Sequence, residues 1–474
     1  MVFNSFTFAV FFAVVVALHS LPLPWRVRKF NLLCASYLFY AAWNPPFVIL
    51  LWVSTLADWF FSRAIHAQSV ERRRRAFVAG SLAVNLGLLG FFKYGGFVLD
   101  NFVALAGLVG IEFHPAAPDI ILPVGISFYT FQTLSYTLDV YRRQTAPWQS
   151  FLDYALYVTF FPQLVAGPIV RAVEFLPQCV QPVRATAGQL SWGLSLMVIG
   201  LFEKMVCADG IFAPIVEKAY ETTLAPNMVS AWCGTLAFAG QVFCDFAGYS
   251  TCAIGAAMCL GFRIPDNFRF PYAAIGFSDF WSRWHISLST WLRDYLFIPL
   301  GSSRGGSFRS GVNLMVTMLL GGLWHGAAWT YVAWGGLHGL FLVSERIWKA
   351  RFGALKPGPR PLRDFAYAQA TFIAVCFTYV FFRAEGFGQA IHFCSAMLGA
   401  PAASAQHCFT SMQMLAGFAG IGVMLAIHWL MRNTTLEHAT ARLPWWIRSL
   451  VLAGMIVAIF LMPGEDRAFI YFQF

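Results

Sequence analysis

Long apolar runs separated by short polar breaks dominate the chain. Charge-free or nearly charge-free stretches lie near 3–24, 31–62, 76–99, 119–138, 151–170, 185–202, 222–262, 310–344, 366–382, 409–431 and 449–464. About 20 helical residues cross a hydrocarbon core of ~30 Å, so several of these runs are long enough for two crossings. Backbone groups in lipid must be satisfied within the fold, and the runs therefore predict an all-α polytopic membrane protein with roughly 11 to 13 transmembrane or re-entrant helices. "WNPP" at 43–46 should split one run into two legs, and "GPIVR" at 167–171 should end another, because the residue before proline avoids the helical region. "RFGALKPGPRPLRD" (351–364) is basic, rich in Pro and Gly, and reads as a cytoplasmic loop. No repeat of 20–50 residues and no extended linker is visible, so 1–474 reads as a single integral-membrane domain. A subdivision at that loop would leave a helical core at 1–350 and C-terminal packing helices at 365–474.

Composition agrees: 58% of residues are hydrophobic and 11% charged, against about 25% charged in soluble domains. A net charge of +10 could suggest nucleic acid, but the basic residues fall in short clusters between apolar runs. Arg26, Arg28 and Lys29, then Arg72 to Arg75, then Arg142 and Arg143 mark cytoplasmic loops by the positive-inside rule, which excludes a nucleic-acid role. The first run has no basic residue before it, "RVRK" after it and no small-residue cleavage site. It reads as a retained helix with the N-terminus outside. Ten cysteines without a CxxC pair give neither a zinc site nor a disulfide framework.

Candidate chemistry lies in two adjacent segments. "MLLGGLWHGAAWTYVAWGGLHGLFL" (318–342) carries His325 and His338 inside 35 residues, 310–344, that hold no Asp, Glu, Lys or Arg. One straight helix of that length would run about 52 Å, so a bend is expected at Gly321–Gly322 or Gly335–Gly336, where small residues also permit close helix approach. The two histidines stand about 140° and ~20 Å apart on a continuous helix, with no HxxxH, which rejects a zinc-protease arrangement. Upstream, "FSDFWSRWHISLSTWLRDYLF" (277–297) places Trp281, Trp284, Leu288 and Trp291 at helical spacing and reads as an amphipathic interface helix with its indoles at headgroup level. His285 sits beside that stripe. Intramembrane ionisable groups are costly and tend to line pathways or sites, so three histidines in two such segments point to a buried polar site. His428 stands alone in "AIHWLM" and reads as a helix-to-helix hydrogen-bonding residue. Asp245 is the only charge between Glu221 and Arg263; a carboxylate satisfied by a neighbouring helix and a place in a water-filled channel both fit it.

Several motifs together resemble a known family. "LPVGISFYTFQTLSY" (122–136), "FFPQLVAGPIVR" (160–171), "DFAGYS" (245–250), "FWSRWHISLSTWLRDY" (280–295), "LLGGLWHG" (319–326) and the terminal "FIYFQF" resemble the membrane-bound O-acyltransferases. The likeness covers most of the chain and is strongest to the bacterial branch of alginate and polysaccharide O-acetyltransferases. The resemblance implies a helical fold around a central funnel or tunnel, with the family's histidine at His325 and its polar partner at His285. Trp324, Trp284, Arg283, Ser287, Asp245 and Tyr249 would bind substrate or line its path, and His338 keeps a structural reading. It further implies a multi-pass protein of the bacterial inner membrane with no bound cofactor or metal and acetyl-CoA as cytoplasmic acyl donor. Its partners would be a periplasmic acetyltransferase and the machinery that synthesises and exports a polysaccharide. Acyl transfer to a hydroxyl needs a base, and a histidine kept neutral by apolar burial supplies one. His325 is thus expected as general base, with His285 orienting the reactants or stabilising the oxyanion. A proton-coupled transporter or flippase using Asp245 is the alternative from another class, and a protein- or lipid-acylating member of the same family is a third reading.

Overall fold

A computed structural model describes residues 1–116, 120–165, 167–221, 225–353, 361–400, 405–462, 467 and 469–470. The elements among the described residues are helical, apart from one isolated bridge between Pro226 and Gln406. Among the described residues five helices are long and apolar enough to cross a membrane: Pro45–Ala67, Glu71–Leu108, Met228–Cys259, Pro361–Arg383 and Ser411–Met431. Phe6–Ser20 and Trp445–Leu461 are shorter apolar helices. The helices Gly306–His325 and Trp329–Phe352 reach 20 and 24 residues, but their Gly, Trp, His and terminal basic residues dilute the apolar character. The breaks fall where proline demands them. The helix Trp25–Ala41 stops before "WNPP" and the chain resumes through Pro45–Phe47, while Phe161–Leu164 ends before "GPIVR".

The chain forms two compact units, Met1–Leu194 with Ala253–Pro265, and Ser195–Cys252 with Asp266–Phe474. This division lies away from residue 350; the 354–360 part of the "RFGALKPGPRPLRD" loop lies outside the described residues.

In the first unit a buried polar knot ties three helices together. Asp58 on Val48–Ala67 accepts from Ser81 and, at 2.8 Å, from Asn85 on Glu71–Leu108, and Ser54 donates to Asn85 at 2.7 Å. Thr133 on Ile126–Tyr141 completes the knot at 3.3 Å from Asn85. A carboxylate in an apolar bundle is tolerable only with such donors. The "RVRK" cluster differs from the solvated loop expected of it, because Arg28 and Lys29 are buried in the first turns of Trp25–Ala41. Arg28 donates to the carbonyls of His19 (2.7 Å) and Val183 (2.8 Å), and Lys29 pairs with Asp153. These partners offset the desolvation that burial imposes. Arg74 bonds both Glu71 and the Tyr141 carbonyl, which brings the 72–75 and 142–143 clusters to one end of this unit.

Candidate active site

All of the candidate site lies in the second unit. Its frame is the hairpin of Gly306–His325 and Trp329–Phe352. A Cβ on Gly322 would lie 3.0 Å from the Gly335 Cα, and one on Gly335 would run into the Met318 carbonyl. The paired glycines therefore let the two backbones cross almost in contact. They do not bend the chain. The turn comes between them, at Gly326–Ala328, so that His325 ends the first helix rather than sitting mid-segment.

The tryptophan segment is not one amphipathic interface helix. A short helix Phe277–Trp281 stops, His285 takes the left-handed conformation (φ 43°, ψ 55°), and the chain restarts as Ile286–Leu292 and a wider turn over Arg293–Phe297. Trp281, Trp284, Leu288 and Trp291 are all buried within the protein, so the stripe is core and not a headgroup belt. The break has a local cause in the "PDNF" loop. The Ile286 N–H donates to the Asn267 carbonyl (2.9 Å), and the Ser287 N–H and hydroxyl donate to Asn267 Oδ1 (3.3 and 2.9 Å). Backbone groups that a continuous helix would pair internally are thereby claimed by Asn267. A left-handed non-glycine residue costs of order 1 kcal/mol or more and persists where its surroundings over-determine it.

That kink brings His285 beside His325. Their ring centroids are 6.5 Å apart, with Trp324 at 6.0 Å from His285 and 5.0 Å from His325. Even rings pointing at each other would leave about 4 Å between nitrogens, beyond a direct hydrogen bond. Phe246 packs edge-on to His285 at 4.6 Å, and Trp334 (4.9 Å) and Phe382 (5.5 Å) wall His325. Both histidines are buried. A cavity of about 360 Å³, lined by Trp281, Ile286, Ser289, Thr290, Arg293 and Thr317 among others, begins one residue from His285.

The other sequence candidates separate into two groups. Ser287 joins the site through Asn267, and Trp284 backs it, stacking on Phe280 at 5.7 Å and packing on Phe268 at 5.1 Å. Arg283 serves a structural ion cluster: its Nε donates to Asp279 (2.7 Å), which Arg432 also grips at 3.0 Å. Burial pushes the Asp279 carboxyl up, but the Ile275 N–H and the two guanidiniums outweigh it and hold the group below its ordinary range. Asp245 pairs with Lys204 at 2.6 Å and accepts from the Ile470 N–H at 2.6 Å, while Lys204 also holds Asp209 at 2.9 Å. Tyr249 packs on Phe469 at 4.7 Å. The final four residues of "FIYFQF" lie outside the described residues. His338 bonds Thr378 at 3.0 Å, and the Tyr272 N–H donates to His428 Nδ1 at 3.3 Å. Asn267 escapes sequence reading altogether. A single Asn in a Pro-Asp-Asn loop carries no periodic or charge signal, and only the fold shows what it holds.

The chain is a polytopic helical protein with two buried histidines whose rings lie 6.5 Å apart in its apolar interior. The membrane-bound O-acyltransferase family model matches residues 129–379. A protein of Azotobacter vinelandii named probable alginate O-acetylase AlgI is 39% identical over 399 residues, 84% of this chain and 78% of its own length. The peptidoglycan O-acetyltransferase of Helicobacter pylori is 31% identical over 94% of this chain and 91% of its own. The teichoic acid D-alanyltransferase of Bacillus subtilis is 27% identical over 58% and 72%. The chain belongs to the membrane-bound O-acyltransferase family, and it is a multi-pass membrane O-acyltransferase.

Proposed function

We propose that the protein is an O-acetyltransferase of the bacterial inner membrane that takes acetyl groups from cytoplasmic acetyl-CoA and passes them outward for O-acetylation of an exported polysaccharide such as alginate or cellulose. The observation that carries this reading is the buried His285–His325 pair, 6.5 Å apart, in a chain with alginate and peptidoglycan O-acetyltransferase relatives. In the reaction the acceptor hydroxyl attacks the thioester carbonyl carbon, a C–O bond forms and the C–S bond breaks. The hydroxyl proton passes to an imidazole and from there to the departing thiolate. We assign this base to His325, in the WHG segment that resembles the family's motif. An apolar wall of Trp324, Trp334 and Phe382 keeps water from intercepting the acyl group.

The test uses the full chain in vesicles with the cytoplasmic face outward and radiolabelled acetyl-CoA outside. Label should reach a polymer or a partner transferase on the luminal side, and His325→Ala should abolish it. Label transferred equally well by His325→Ala vesicles would overturn the reading. Acetylation is further proposed to require a co-encoded periplasmic transferase. Full-rate polymer acetylation by this chain alone would remove the partner from the scheme.

A further inference from the structure

We propose that Asn267 is a positioning residue that fixes the tautomer of His285, so that the ring faces the reaction with a lone pair on Nε2 and not with an N–H. This rests on the acyl-transfer reading of the histidine pair and reaches a residue outside the family motifs quoted above. Asn267 is buried, and its side chain has four polar contacts: His285 Nδ1 (3.1 Å), the Ser287 N–H (3.3 Å) and the Ser287 hydroxyl (2.9 Å) on one side, and the Ser250 hydroxyl (3.2 Å) on the other. The two ends of an amide look alike in size, so its orientation must come from an unambiguous neighbour. The Ser287 backbone N–H is that neighbour, because it can only donate. The end facing it is therefore the carbonyl oxygen Oδ1, and the NH₂ end points to Ser250. An imidazole nitrogen 3.1 Å from that same oxygen must then carry hydrogen. In the neutral ring this places the proton on Nδ1 and the lone pair on Nε2.

The consequence bears on the division of labour between the histidines. Stabilising an oxyanion needs a donor, and a neutral His285 held in this tautomer has none left to aim at the thioester carbonyl. It can accept a hydrogen bond instead. His325 remains the base, while His285 Nε2 accepts a hydrogen bond from the attacking hydroxyl, directly or through an intervening hydroxyl, and orients it, with Nδ1–H held on Asn267. The left-handed backbone at His285 belongs to the same device. The carbonyl of Asn267 holds the Ile286 N–H and its side chain holds Ser287, so ring direction and backbone are set by one residue.

Nitrogen-15 NMR of histidine-labelled full-length protein in detergent, with the His285 resonances found by their loss in His285→Ala, tests this together with acetyl transfer per folded molecule. Wild-type His285 should show the Nδ1–H tautomer. Asn267→Ala should shift it to Nε2–H or a mixture and lower kcat by about tenfold or more, with KM for acetyl-CoA little changed. Asn267→Asp keeps an oxygen in place, so it should retain the Nδ1–H tautomer and recover most of the turnover. An Nε2–H tautomer in the wild-type protein overturns the proposal without need of any variant. Wild-type turnover in Asn267→Ala beside an inactive His285→Ala overturns the tautomer assignment alone. Wild-type turnover in His285→Ala overturns both it and the role of the pair.

Discussion

At the scale of single residues the histidines divide by their neighbours. His325 and His285 lie near one another beside Trp324, whereas His428 accepts the Tyr272 N–H and packs on Phe243 at 4.5 Å. His325→Ala should therefore lose acetyl transfer by ~10²–10⁴, the range of general acid–base catalysis, with its melting profile in detergent near wild type. His285→Ala should fall as well. His428→Ala should do the reverse, keeping turnover per folded molecule but losing about 1–3 kcal/mol of stability as the buried Tyr272 N–H is orphaned. Measuring activity against folded protein for the three variants separates chemistry from scaffolding, and a folded His325→Ala with normal turnover would sink the proposed base.

At the scale of elements, the runs of apolar residues and the prolines between them were enough to read an all-helical membrane protein. Motif order pointed to His285 and His325. What could not be read is how helices are interrupted. Tryptophans at 281, 284 and 291 keep helical spacing in a segment that is broken at 285, because the partner that claims its backbone groups lies 18 residues upstream. Nor does spacing tell that Gly322 and Gly335 serve a helix crossing instead of a bend, since both uses ask for the same missing Cβ. That crossing predicts a cost. Gly335→Val would force the hairpin apart at the Met318 carbonyl and should destabilise by about 1–3 kcal/mol or more, as overpacking does. Because Gly322 lies one turn before His325, activity should drop with it, as thermal unfolding and turnover measured side by side will show.

For the whole molecule, sidedness matters to the proposed function, in which a cytoplasmic thioester meets an acceptor on the far side. In the first unit Arg74 joins the 72–75 cluster to the end of Ile126–Tyr141, beside Arg142 and Arg143, so these clusters should face one compartment. With the native cysteines replaced, Arg73→Cys should react with an impermeant maleimide only when the cytoplasmic face is open. Reaction from outside intact cells would reverse the donor side. A different demand arises while the chain is being made. Lys204 and Asp209 leave the ribosome on one segment, Phe202–Phe212, but the second carboxylate that holds Lys204 belongs to Met228–Cys259, synthesised later. Until then the ammonium has one partner where it needs two, and the segment is a poor tenant of lipid. The insertion machinery must keep it sheltered and release it together with the helix that brings Asp245. Crosslinks from the Phe202–Phe212 segment to the insertion machinery should accordingly persist in nascent chains arrested before residue 228 and disappear in chains arrested well beyond residue 259.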